Sequence, residues 1–191
     1  MNRYLKELKY QLRYGLPVWF SMLICSWMPD ISPIIKLRGG LVSLFLPGRP
    51  KGLTLARDVS LLSIDRLELG DRVYLAKGVW INAIGGINIE DEVVVAPYVV
   101  MSSNNHGFKN NSVKQGGAHP APISIGHGTW IAAHSVVAAG VNVGRGNLIA
   151  ANSVVTKNTD DNGVYAGVPA IKIKNRVDNP SSIQSKHDVG R

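Results

Sequence analysis

The chain has 191 residues, 45% of them hydrophobic, which is enough for one core with an appendage. Its net charge is +8, yet no basic–aromatic pattern or nucleic-acid-binding motif accompanies that charge; nucleic acid is therefore not an expected partner, while an anionic cofactor, an acidic sugar or a phospholipid surface fits equally well. A single cysteine, Cys25, excludes an internal disulfide.

Residues 1–14 place Leu5, Leu8 and Leu12 at helical spacing among Arg3, Lys6, Lys9 and Arg13, which predicts a short basic amphipathic helix. From Leu16 to Met28 the chain is apolar and carries Trp19, Phe20 and Trp27. A basic start before an apolar run outlines a signal peptide. However, Trp27-Met28-Pro29-Asp30 offers no small-residue cleavage site, and Ile24 before Cys25 argues against lipoprotein processing. The run is also shorter than the about 20 residues that a bilayer-spanning helix needs. A second apolar patch, Leu41 to Leu46, lies between Gly39-Gly40 and Pro47-Gly48. Residues 1–50 therefore read in one of two ways. They form a helical cap over an open end of the downstream domain, or a peripheral membrane anchor with its basic face to lipid phosphates.

From Leu53 onward an aliphatic residue tends to recur every sixth position. The pattern is ragged at first and settles at Leu69, Leu75, Ile81 and Ile87. It then shifts by two at the Gly85-Gly86 turn and resumes at Ile89, Val95 and Met101. Residues 104–124 abandon it, and a long structureless segment of that kind inside a compact repeat predicts a functional loop or a disordered one. The repeat is cleanest at Ile125, Ile131, Val137, Val143, Ile149 and Val155. After the first five of these come Gly126, Ala132, Ala138, Gly144 and Ala150; four positions on come Thr129, Ser135, Val141, Asn147 and Ser153. A step of six turns an α-helix by roughly 600°, which would scatter the aliphatics around it. Strand alternation fails too, because His127, Arg145 and Lys157 stand where apolar residues would be needed. Such a repeat predicts a solenoid, three repeats to a triangular coil, with parallel strands about 4.8 Å apart. The tail, residues 175–191, is polar and expected to fray.

Two segments carry a family resemblance. Gly128-Thr129-Trp130-Ile131-Ala132 is similar to the Trp-Ile-Gly turn of the hexapeptide-repeat acyltransferases, and Val164-Tyr165-Ala166-Gly167-Val168-Pro169-Ala170 resembles their closing segment. The resemblance runs from about Leu53 to Lys174. It implies an all-β fold: a left-handed parallel β-helix over residues 51–174, with an extruded loop at 104–124 and an N-terminal helical or apolar cap over residues 1–50. Handedness comes from the family alone, which departs from the usual right-handed crossover.

The resemblance also implies an activity: acetyl-CoA-dependent O-acetylation of a sugar hydroxyl, in surface polysaccharide or lipopolysaccharide synthesis. The enzyme would be a cytoplasmic homotrimer without a metal, peripheral at the inner membrane face if its N-terminus meets lipid. His106 ends the Met101–His106 repeat where the loop departs, the position of the general base in the sugar O-acetyltransferase branch (galactoside, maltose and nodulation-factor enzymes). Imidazole, with an ordinary pKa of about 6.5, suits a base that takes a proton from the hydroxyl and returns it to the CoA sulfur. Gly107-Phe108-Lys109 follows, where the family commonly has an acid or a proline, and no Asp or Glu occurs between Glu92 and Asp160. A carboxylate orienting His106 must therefore come from Glu90, Asp91, Glu92, an earlier coil or a neighbouring subunit. Otherwise a backbone carbonyl fixes the tautomer. Asn82 matches an acceptor-site asparagine, whose amide both donates and accepts. Trp80 and Trp130 are expected to line the acceptor or pantetheine passage. By the same resemblance Ala133 and Ala151 let pantetheine approach the backbone, while Thr156, Lys157 and Lys174 meet its adenosine and phosphate end. His119, His127 and His134 are expected in solvent. Rival readings are N-acetylation of a nucleotide-linked amino sugar, a zinc hydratase, whose histidine spacing is missing here, and a non-catalytic scaffold.

Overall fold

The computed structural model describes residues 3–177, so the expectation of a frayed tail falls almost wholly outside the described residues. From Thr54 to Asn175 the chain winds as a coil with three faces. Face one stacks Thr54–Leu55, Tyr74–Leu75, Val94–Val95, Trp130–Ile131, Leu148–Ile149 and Gly163–Gly167 in parallel, and Ala170–Asn175 closes it as an antiparallel edge. Face two stacks Ser60–Leu62, Trp80–Asn82, Val100–Ser102, Val136–Val137 and Val154–Val155. Face three stacks Leu67–Leu69, Ile87–Ile89, Ile123–Ile125 and Asn142–Val143.

The six-residue step is visible in this geometry. Ile125, Ile131, Val137, Val143, Ile149 and Val155 all point inward and are buried, one to each face in turn. Trp130 stacks on Leu148 and Val136 on Val154, so a coil there takes 18 residues. Tyr74 stacks on Val94 and Trp80 on Val100, so the earlier coils take 20. The two additional residues sit at the corner between faces two and three, at Ile84-Gly85-Gly86, where the sequence pattern shifts. Across the long loop Val100 pairs with Val136, 36 residues on, two regular coils' worth, and the register is regained. The ragged start is regular in space, since Thr54 already pairs with Tyr74 and Ser60 with Trp80.

Corners are made by left-handed residues. Between faces one and two these are Asp58, Gly78, Tyr98, His134 and Asn152, with φ of 58–69°. Asn, Asp and Gly suit that region best, because other side chains crowd the following carbonyl. The short polar residues of the repeat satisfy the corner backbone from inside. Thr129 Oγ1 donates to the Gly144 carbonyl at 2.9 Å, and Ser135 Oγ donates to that of Ala150 at 2.9 Å. Buried Asn147 donates to Gly144 O, Thr159 Oγ1 and Asp160 O, and accepts from the Gly163 N–H.

Ahead of the coil, α1 (Arg3–Tyr10), a π-turn (Gln11–Gly15) and α2 (Leu16–Ile24) form one continuous helical run, longer than the expected short helix; α3 (Ser32–Ser43) follows. Val18, Val42 and Leu46 join the coil's core beside Leu53. Gly39 presses so closely on the first coil that a Cβ there would overlap the Leu53 carbonyl. Arg38 is fully buried between helices and coil. Its Nη1 donates to Asp30 Oδ1 at 2.9 Å and to the Leu55 carbonyl at 2.8 Å, and its Nη2 donates to the Cys25 carbonyl at 3.1 Å. Asp30 in turn accepts from the Arg57 N–H at 3.0 Å. Arg38→Ala removes the donor from the Leu55 and Cys25 carbonyls and the buried ionic partner of Asp30. It should cost about 3–5 kcal/mol, read as a lower urea midpoint at unchanged slope.

Candidate active site

The long loop is rooted by Ser103, which is buried. Its N–H and Oγ both donate to the Asn82 carbonyl, at 3.0 and 2.9 Å; its Oγ accepts from the Gly85 N–H at 2.8 Å, and its carbonyl accepts from the Ala121 N–H at 2.9 Å. Both ends of the loop are thus tied to the corner that carries Asn82. Beyond the root the expectation of a structureless loop is corrected. Asn104–His106 and Ala118–Pro120 pair as an antiparallel ribbon, with His106 opposite Ala118 and Asn105 opposite His119. Its tip holds a helical turn, Val113–Gly116. Asn, Gly and Pro are poor strand formers, so nothing in the local propensity announces this ribbon. Gly116 permits it, since a Cβ there would overlap the Gly107 carbonyl.

His106 is exposed at the base of the ribbon. Asn104 Nδ2 lies 3.4 Å from His106 Nε2. Asn104 Oδ1 is buried and has no hydrogen-bond partner. The carboxylates expected to orient His106 have their partners elsewhere. Glu90 accepts from the His127 N–H at 2.9 Å and from Arg145 Nε at 3.1 Å; Asp91 accepts from the Asp71 N–H at 2.8 Å. Glu92 pairs with Arg72 at 2.9 Å and lies 3.6 Å from His127 Nε2. Asn104, which no feature of the sequence singles out, is the side chain beside His106.

Asn82 ends its strand half-buried, with Oδ1 accepting from the Ile84 N–H at 3.3 Å. It lines a cleft of about 1000 Å³ between face two and the N-terminal helices, together with Tyr10, Trp19 and Arg66. Trp80 lies two residues back on the same strand. Trp130 is 50% exposed on face one, so one chain does not gather the two tryptophans on a single face. Ala133 and Ala151 do come together, at the corner between faces one and two, where the Asn152 N–H donates to the Ala133 carbonyl at 3.0 Å. Beside them the rings of Tyr98 and His134 stack at 5.1 Å. Thr156 and Lys157 are exposed after Val154–Val155, toward the corner that bears the loop. Lys174 is exposed on the antiparallel edge strand, opposite Val164. The expected donor residues therefore fall on two corners and one edge.

His119, His127 and His134 are all exposed as expected, and His127 also joins a charged cluster. That cluster, with Glu90 and Arg145, borders a cavity of about 650 Å³ at the corner between faces three and one, which none of the expected site residues lines. Its charges face opposite charges, so it ties coils together. Among the described residues no group of His, Cys, Asp or Glu could hold a metal ion. The His127 backbone N–H, then the Arg145 side chain, hold the Glu90 carboxyl below its ordinary value of 4.5. A lowered carboxyl adds stability that is full above its unfolded value and is lost as pH falls through its folded one. Glu90→Gln should therefore lower the urea midpoint at neutral pH, and the difference from wild type should shrink as pH drops below 4.5.

Residues 122–157 match the family model described as bacterial transferase hexapeptide (six repeats). The chain is 39% identical over 88 residues to galactoside O-acetyltransferase of Escherichia coli K12, a match that spans 46% of this chain and only 43% of that protein. It is 28% identical over 165 residues to WcaF of the same strain, which is named for acetyl transfer in colanic acid biosynthesis; here the match spans 84% of this chain and 87% of that one. In three dimensions it resembles a galactoside acetyltransferase in complex with coenzyme A, with a TM-score of 0.66, 25% identity, and 85% and 80% of the two chains covered. Residues 122–157 thus carry the hexapeptide repeat, and the chain shares a parallel, three-faced β-solenoid with solved acetyltransferases. Its relatives are acetyltransferases, as the Trp130 turn and the closing segment implied.

Proposed function

We propose that this protein is an acyltransferase that moves an acetyl group from acetyl-CoA to a sugar hydroxyl, with His106 as general base. The observation that carries the reading is His106, exposed at the root of an ordered ribbon that leaves the coil beside Asn82. The hydroxyl proton passes to the His106 imidazole as the sugar oxygen attacks the thioester carbonyl. The C–S bond then breaks, and the proton goes on to the departing CoA sulfur. No enzyme nucleophile is required, and Cys25 is fully buried under the helices.

Ala133 and Ala151 leave the backbone of their corner open to a pantetheine arm, and Thr156, Lys157 and Lys174 suit its adenosine and phosphates. Asn82 and Trp80 suit a sugar. Face one, with Trp130 and the strand of Lys174, lies across the coil from the corner that bears the loop. That separation supports a homotrimer in which His106 of one copy works against the donor corner of the next. The galactoside and colanic acid relatives support a glycan acceptor and a role in surface polysaccharide synthesis. Among the described residues no helix is long and apolar enough to cross a membrane, and a cytoplasmic site of action is part of this proposal.

Calorimetry with acetyl-CoA tests the reading without choosing an acceptor. Wild type should bind saturably in the micromolar range; Lys157→Ala should bind several-fold more weakly, and Ala151→Trp should not bind. Absence of binding to folded wild-type protein would contradict it.

A further inference from the structure

The helical run from Arg3 to Ile24 is apolar on two opposite faces. Tyr10, Tyr14, Val18, Ser21 and Cys25, at steps of three or four, turn toward the coil and are buried or half-buried. Tyr10 Oη accepts from the Ile64 N–H at 3.1 Å, which fastens this face to the corner after face two. The other face carries Leu5, Leu8, Leu12, Leu16, Trp19 and Leu23, also at steps of three or four. These are 47–60% exposed, and Phe20 and Trp27 beside them are 57% and 78% exposed. A helix with apolar residues on two opposite faces needs cover on both, and an exposed stripe of this length marks a contact surface.

Charge says what the cover is. Lys6 and Lys9 border the stripe, and Arg3 precedes them in the sequence. The acid among them, Glu7, accepts a hydrogen bond from Gln11 Nε2 at 2.8 Å. Tryptophan and phenylalanine beside lysines suit the boundary between acyl chains and head groups, where the rings sit in the apolar layer and the ammonium groups reach phosphate. No described helix is long and apolar enough to cross a membrane, which leaves a helix lying in the plane.

We infer that the outer face of α1–α2 docks the protein, in plane, on a lipid bilayer bearing anionic head groups. Lys6, Tyr10 and Trp19 also wall the cleft that holds Asn82, so docking sets that cleft at head-group level. The inference stands apart from the transfer reaction, and it is tested on lipid alone.

The full chain is sedimented with phosphatidylcholine vesicles, with and without phosphatidylglycerol, at low and high salt. Most of the protein should pellet with the anionic vesicles, less with the neutral ones, and less again at high salt. Trp19→Ser/Phe20→Ser/Leu23→Ser, all at exposed positions, should weaken binding at least about tenfold with unchanged circular dichroism and oligomeric state. Lys6→Glu/Lys9→Glu should abolish the preference for phosphatidylglycerol. Wild type that stays in the supernatant with both vesicles overturns the inference. So does a triple-serine variant that changes oligomeric state, because the face is then an interface between copies.

Discussion

Strands of two or three residues cannot hold themselves, and stacking in register is the constraint on which everything else in this molecule depends. A single coil offers only a few backbone hydrogen bonds and a few inward aliphatics, each contributing about 1.5–3 kcal/mol when buried. Stacked, each aliphatic meets its equivalents above and below, so the core is a column that grows by one layer per coil. Register requires coils of equal circumference, or a surplus gathered at one corner. The 20-residue coils collect theirs at the corner between faces two and three, and the other two corners keep their left-handed residues in line.

A column has two ends, and each is closed by different means. At the first coil Arg38 reaches the Leu55 carbonyl, which has no coil beyond it, while Val42 and Leu46 cover the aliphatics. At the last, the antiparallel strand Ala170–Asn175 takes the exposed edge of face one. Tyr165 fills the core there, and its hydroxyl accepts from the Asp160 N–H at 2.8 Å. The loop escapes this constraint because it leaves and returns at one corner, between Ser103 and Ala121. Its residues can answer to chemistry without disturbing the coil.

The parts of the molecule that were legible in the sequence are those the same physics dictates. The step of six announced the solenoid, because every sixth position from Ile125 to Val155 points inward and carries Ile or Val. The slip at Gly85-Gly86 announced the longer coils. Interactions set by tertiary packing left no such trace. The Arg38–Asp30 pair spans helix, turn and coil, and nothing local distinguishes Arg38 from a solvated arginine. The ribbon of Asn104–His106 and Ala118–Pro120 pairs residues of low strand propensity. Leu5, Leu8 and Leu12 show helical spacing, but spacing does not say which way a helix rolls, and in the structure they point away from the coil. Trp80 and Trp130 look alike in sequence, yet they belong to different faces because 50 residues do not make a whole number of turns of the coil.

Catalysis in this account rests on His106, an exposed imidazole held on a stiff ribbon rather than on a loose loop. Turnover by His106→Ala tests it most directly, followed as release of CoA thiol from acetyl-CoA in the presence of a glycan acceptor. Acetyl-CoA affinity is measured on the same sample. The account predicts a fall in turnover of about 10²–10⁴-fold with donor affinity unchanged. Turnover close to wild type, with affinity intact, would contradict it and move the base elsewhere on the molecule.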